Sequence, residues 1–150
     1  MNSREDVEYR LNLAKGFLKE AEEDFQLKRW RSCVNSAQLS VENSGKAILM
    51  LFGLSPKTHE PARYLEELIH YEKIPIEMRK KIEEMLPDFL TLGAEENFMT
   101  DYGDESSYAL PWDIFDKESA KLALSAAQRC KSASEEIVRL TRQYRSGKNK

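Results

Sequence analysis

Soft metal ligands are scarce in this chain, which has two cysteines and two histidines among its 150 residues. The cysteines lack Cys-x-x-Cys spacing, which excludes a structural zinc site of the usual four-ligand kind. Cys33 and Cys130 stand far apart, each among apolar neighbours at helical spacing, and read as buried free thiols rather than a disulfide. No glycine-rich phosphate loop and no Gly-x-Ser-x-Gly motif occurs, and no spacing of Ser, His and Asp singles out a catalytic triad. No metal or cofactor is expected. The longest apolar run, Ala47 to Leu54, is far too short to cross a bilayer. The N-terminal MNSREDVEYR is charged and lacks the apolar segment of a secretory signal, so the expected location is cytoplasmic, away from any membrane. A net charge of −3 gives no whole-molecule attraction to nucleic acid.

What is present is charge and helical periodicity. Charged residues make up 33% of the chain and hydrophobic ones 41%, the balance of a small, well-solvated helical protein with its own core. Val7, Leu11, Ala14, Leu18, Ala21 and Phe25 recur at steps of three and four, one apolar stripe on a long first helix. Ser3 and Asp6 resemble a capping box at its start. A second helix is expected from about Arg29–Arg31 to Phe52, with Gly53 as its stop. Within it, Gly45 beside Ser44 permits close approach by a neighbour. Pro61 suits the first turn of a short third helix, and Pro75 opens a fourth that ends at Gly93, with a break or kink at Pro87.

Residues 94–115 read as a long loop whose aromatics, Phe98, Tyr102, Tyr108, Trp112 and Phe115, pin it across the bundle. Asp116 is placed to cap the last helix, with a face running from Ala120 through Cys130 and Ile137 to Tyr144. No strand hairpin and no internal repeat is legible. The expectation is an all-α, antiparallel up-and-down bundle of four to five helices in one domain over residues 1–144. Residues 145–150 should form a frayed basic tail, the end of a stretch from Arg139 to Lys150 with five basic residues and no acid.

The segment AQLSVENSGKAILMLFGLSPKTHEPARYLEEL resembles the HEPN (higher eukaryotes and prokaryotes nucleotide-binding) family. Its members carry a helix of the form A-Q-x-(S/A)-V/A-E-x-x-x-K-A, then a short turn with K-T-H before a leucine-bearing helix. Here that pattern falls on Ala37, Gln38, Val41, Glu42, Lys46, Ala47 and Lys57-Thr58-His59. The Ala-rich last helix after Phe115 is similar as well, so the likeness covers roughly residues 5–140. The resemblance implies a helical bundle, commonly a homodimer. Such proteins often act beside a minimal nucleotidyltransferase, as its substrate-binding subunit or as half of a toxin–antitoxin pair. Other members are metal-independent ribonucleases with R-x4–6-H near the fourth helix, where imidazole moves a proton and guanidinium holds phosphate.

This chain departs from the ribonuclease pattern. Arg79 is the only arginine of the fourth helix, and no histidine follows His70. Where non-nuclease relatives carry an R-Y-P-D-like stretch, it has Asp101-Tyr102-Gly103-Asp104. The one formal match, Arg63 and His70, puts both on one face of the third helix, earlier than the family places the motif. These two are the catalytic candidates, against solvated surface residues. Glu42 and Lys46 form an i,i+4 pair. They read either as an ordinary ion pair or as one flank of a polar groove beside the 94–115 loop. Lys57, His59 and Arg63 cluster near a helix start that would favour an anion, and Tyr102 completes the candidate nucleotide or partner site. The main expectation is a non-catalytic nucleotide- or protein-binding module partnered with a nucleotidyltransferase, with RNA as a further ligand. A ribonuclease toxin and a structural oligomerisation module are the alternatives.

Overall fold

The structure is a computed structural model that describes residues 4–92 and 100–148. Six helices order the described chain: α1 (Arg4–Gln26), α2 (Trp30–Leu51), α3 (Ala62–Leu68), α4 (Ile76–Thr91), α5 (Pro111–Ile114) and α6 (Lys117–Lys148). No strand occurs among the described residues, only an isolated bridge between Asp104 and Ala109. The protein is an all-α, up-and-down bundle. The Ser3 cap, the stop at Gly93 and the aromatic Phe98 lie outside the described residues.

Both long hairpin ends are closed by the same device. At the end of α1, Arg29 N–H donates to Asp24 O at 2.8 Å while Lys28 takes a left-handed φ of 59°. At the end of α2, Leu54 N–H donates to Leu49 O at 2.9 Å while Gly53 has φ 86°. These six-residue bonds satisfy carbonyls that a helix end leaves without partners. Gly53 takes that conformation at little cost, whereas Lys28 carries a Cβ into it.

Direction follows from the cross-helix contacts. Ser40 Oγ donates to Ala14 O at 2.7 Å and Arg10 Nη1 to Asn43 Oδ1 at 3.0 Å, so α1 and α2 run antiparallel. Cys33 Sγ faces Ala120 O, Ser134 Oγ donates to Ser44 O, and Arg145 Nη2 donates to Leu51 O. Both numbers of each pair rise together, so α2 and α6 run parallel as the central pair. α4 lies antiparallel to α6, tied by a bidentate Arg129–Asp88 pair and by Lys81–Glu136. α2 is consequently buried on nearly every side, from Cys33 and Val34 to Leu51. Small side chains line its contact with α6, including Ala37 on one helix and Ala120, Ala123, Ala127 and Cys130 on the other.

Gly45 takes the close approach its sequence allows. A Cβ there would stand 2.6 Å from Pro61 Cγ and 2.8 Å from Pro61 Cβ. Asp116 caps α6 as expected, its Oδ1 accepting from Ser119 N–H at 2.9 Å.

Three expectations are corrected. α4 passes Pro87 and continues to Thr91, so of the break or kink expected there the break does not form. Pro87 and Glu83, whose carbonyl loses its intrahelical donor, are both exposed, and water can satisfy that oxygen. Residues 145–148 are helical rather than a frayed tail, since Arg145 bonds the end of α2 and stands 5.8 Å over the Phe52 ring. Of the loop's described aromatics only Phe115 is buried; Tyr108 is 92% and Trp112 69% exposed. Polar contacts hold this segment instead. Arg31 Nη1 donates to Thr100 O at 2.8 Å, and Asp104 Oδ1 accepts from Ser106 N–H at 3.1 Å across a turn.

Candidate functional site

The C-terminal half of α2 carries the polar residues that its apolar positions leave over. Glu42 is buried at the α2 surface, and its two carboxylate oxygens have different partners. Oε2 meets Lys46 Nζ at 3.4 Å, one helical turn on, and Oε1 meets His59 Nδ1 at 2.8 Å. A carboxylate accepts, so Nδ1 carries the proton and Nε2 is the ring's outward nitrogen. His59 itself is 72% exposed at its side chain. It is brought to Glu42 by the turn at Gly53 and by the connection that follows it.

Lys46 and His59 help wall a cavity of about 540 Å³ between α1, α2 and the 53–60 connection. Three cations face it: Arg10 from α1, Lys46 from α2 and Lys57 from the connection. Met50 gives an apolar patch, and Ser55 and Thr58 bring hydroxyls. Arg10 is held by Asn43 Oδ1, which in turn is oriented by Asn43 Nδ2 donating to Leu39 O at 2.8 Å. Arg10 and Lys57 have no ion-pair partner among the described residues. With Glu42 shared between Lys46 and His59, the cavity has an excess of positive charge. It is suited to an anion with a small apolar part, as a nucleotide is.

Of the residues singled out in the sequence, Lys46, Lys57 and His59 line this cavity, with Glu42 holding two of them in place. The groove is not beside the described part of the 94–115 loop, residues 100–115, which corrects its expected location. Thr100 meets α2 at Asn35, and eleven residues of helix separate Asn35 from Lys46, about 16 Å. Tyr102, just past Thr100, is not among the lining residues. Arg63 is exposed on α3 and lines no part of the cavity, and α3 begins at Pro61 with no side-chain cap. His70 lies on the rim of a different cavity, about 700 Å³, with Phe52, Leu54 and Arg145, and Arg63 is absent from that one too. The two formal motif residues are therefore not brought into one pocket. Arg10 was missed by sequence reasoning. Its signal was present: it falls three residues after Val7 and four before Ala14, a cation at the edge of a buried stripe.

Arg79, the arginine of α4, has a structural occupation. Its Nε donates to Ile74 O at 2.9 Å and its Nη1 to Ile69 O at 3.4 Å, fastening the α3–α4 connection. Among the described residues no cluster of His, Cys, Asp and Glu could hold a metal ion. No described helix is long and apolar enough to cross a membrane.

Comparison with known proteins decides the family. The HEPN domain model matches residues 7–140. The chain belongs to the HEPN domain family. That membership supports a module of the nucleotide-binding or ribonuclease type in general. No curated protein matches this HEPN chain in sequence. Among solved structures it is similar to TT1696 from Thermus thermophilus, with a TM-score of 0.66 and 19% identity over 87% of this chain and 97% of that one. At that identity the likeness is one of fold. Lys46, Lys57 and His59, which carry the helix-and-turn resemblance, line the basic cavity, and Glu42 holds Lys46 and His59 beside it.

Proposed function

We infer that this HEPN protein is a binding module whose basic cavity holds the phosphate of a nucleotide. The observation that carries the reading is the convergence of Arg10, Lys46 and Lys57 on one cavity, with Glu42, the one buried carboxylate among the described residues, already engaged. Phosphate oxygens would take up the charge-assisted donors of Arg10 and Lys57, and Met50 would meet the apolar face of the base or sugar. His59 Nε2 adds a further donor when the ring is protonated.

In this reading the protein has no chemistry of its own and presents the nucleotide to a separately encoded partner, a minimal nucleotidyltransferase. It would act there as a homodimeric substrate-binding subunit or toxin–antitoxin component. The geometry gives a ribonuclease built on Arg63 and His70 no support, because neither cavity described above is lined by both. Thermal melting of the purified protein with nucleoside mono- and triphosphates and with inorganic phosphate tests the binding claim. A nucleotide near a hundredfold its Kd should stabilise the native state by about 2.7 kcal/mol. That stabilisation should be lost in Lys57→Gln and Arg10→Gln. No shift with any nucleotide at millimolar concentration overturns the reading. Co-purification with a nucleotidyltransferase encoded beside this chain tests the partner.

A further inference from the structure

The opposite end of α2 carries a second positively charged cavity, about 410 Å³, which the nucleotide reading leaves unused. The stretch Leu27-Lys28-Arg29-Trp30-Arg31 puts three cations around one tryptophan, and the fold then brings a second tryptophan, Trp112 of α5, to the same cavity. Each part has a fixed place. Trp30 packs edge-on to Phe25, with ring centroids 5.3 Å apart. Arg31 is locked by its bond to Thr100 O, and its guanidinium stands 5.9 Å from the Trp112 ring centroid. One face of Trp112 is thereby backed by a fixed cation, yet the side chain remains 69% exposed. Lys28 and Arg29 are exposed at the rim, and neither makes an ion pair among the described residues. Asp24, near Arg29 and Arg31, offsets part of this charge. The first turn of α2 adds backbone N–H groups with no side-chain cap.

We propose that this cavity is a contact for single-stranded nucleic acid, in which a base stacks on the outer face of Trp112 and the adjoining phosphates lie on Lys28 and Arg29. Exposed aromatics interleaved with cations are the means by which proteins hold unpaired strands. Every base has a π-face, and every linkage between bases carries a charge. The cation behind Trp112 holds the ring ready to stack, and the ring edges beside it complete the platform. This contact lies some fifteen residues of helix from the Lys46 cavity, about 22 Å, and does not rest on the nucleotide reading.

Fluorescence anisotropy of a labelled single-stranded oligonucleotide tests the proposal, read beside the quenching of tryptophan emission. The chain has two tryptophans, Trp30 and Trp112. Trp112→Ala should weaken binding about tenfold, whereas Trp112→Phe should keep most of the affinity and lose most of the quenching. With two phosphates engaged, affinity should fall about sevenfold between about 50 and about 200 mM salt, and Lys28→Gln and Arg29→Gln should each flatten that dependence. Lys57→Gln and Arg10→Gln should leave strand binding unchanged, which separates this site from the nucleotide cavity. The proposal is overturned by wild-type protein that shows no saturable binding, or by Trp112→Ala that binds like wild type. Equally damaging would be a polyglutamate peptide that displaces the strand as well as unlabelled strand does. That would make the patch a general anion surface. Far-ultraviolet circular dichroism of each variant guards against unfolding, to which the exposed Trp112 and Lys28 should be indifferent.

Discussion

Gly45→Ala is the sharpest test of how the bundle shapes its cavity. In an unobstructed helix this change stabilises by about 1 kcal/mol, because alanine loses less backbone freedom than glycine. At residue 45 the new methyl would stand 2.6 and 2.8 Å from two ring carbons of Pro61 and 3.4 Å from Phe89 Cε1. Carbon atoms pack at about 3.5–4.0 Å, so the ring must retreat by roughly 1 Å. A proline ring has no rotamer by which to move aside, so the backbone at the start of α3 has to move with it. Overpacking of that kind costs about 1–3 kcal/mol. Set against the helix gain, the net expectation is a loss of about 1 kcal/mol, or about 2–4 °C in Tm for a chain of this size.

The decisive comparison uses a second background. In Pro61→Gly both obstructing carbons, Cβ and Cγ, are gone, and adding Gly45→Ala should then stabilise by about 1 kcal/mol rather than destabilise. Urea unfolding of the four proteins gives the coupling directly, expected at about 1–3 kcal/mol. If Gly45→Ala raises the stability of the wild-type background, or shifts both backgrounds equally, the close-packing argument is wrong. The same displacement has a functional readout. Pro61 follows directly on the connection that brings Lys57 and His59 to the cavity, so Gly45→Ala should weaken nucleotide binding without touching a lining residue.

Lys28→Gly should stabilise the protein by roughly 0.5–1 kcal/mol, since it relieves a side chain held at a left-handed φ while glycine's own entropy cost takes back part of the gain; a lower urea midpoint would contradict this. The Asp116 carboxyl is held below the ordinary carboxylate range chiefly by Ser119 N–H and then by its hydroxyl. The stability this cap contributes should be fully present above the ordinary carboxylate pKa and lost as pH falls through the lower folded value. Asp116→Ala should accordingly lower Tm near neutral pH, with the gap to wild type closing in acid; a gap independent of pH would show that the charge is not involved. Burial, and secondarily Asp24, push the Cys33 thiol up to about 11, and burial also raises Cys130. Both thiols should react slowly with a disulfide reagent near neutral pH in the native protein and rapidly in denaturant, and fast labelling of folded protein would argue against their placement.

The helices were legible because their signals are local. Pro61, Pro75 and Asp116 stand at helix starts and Gly53 at a helix end, and the spacing of Val7, Ala14 and Leu18 defines a face. The α2 polar residues were recognisable as a group for the same reason, and Glu42, Lys46, Lys57 and His59 do come together. Arg10 joins them through a contact with Asn43, 33 positions away, which no local pattern announces. Tyr102 was placed with the wrong end of α2 because the path of its loop depends on Arg31 and Asn35 meeting Thr100. The basic ending looked like a tail since its anchor, Leu51 O, is 94 positions back along the chain.

The parallel pairing of α2 with α6 has a consequence for where any ligand can sit. Helices that are diagonal in a square bundle touch here through alanines, cysteines and serines, so the cross-section is a rhombus closed along its short diagonal. Among the described residues such a section leaves no axial channel of the kind in which square four-helix bundles lodge a haem or a metal pair. The two cavities proposed as sites, each lined by cationic side chains, accordingly lie at the two ends of the central rod. One helix would thus serve both proposals as a spindle, with the nucleotide cavity at one tip and the strand contact at the other.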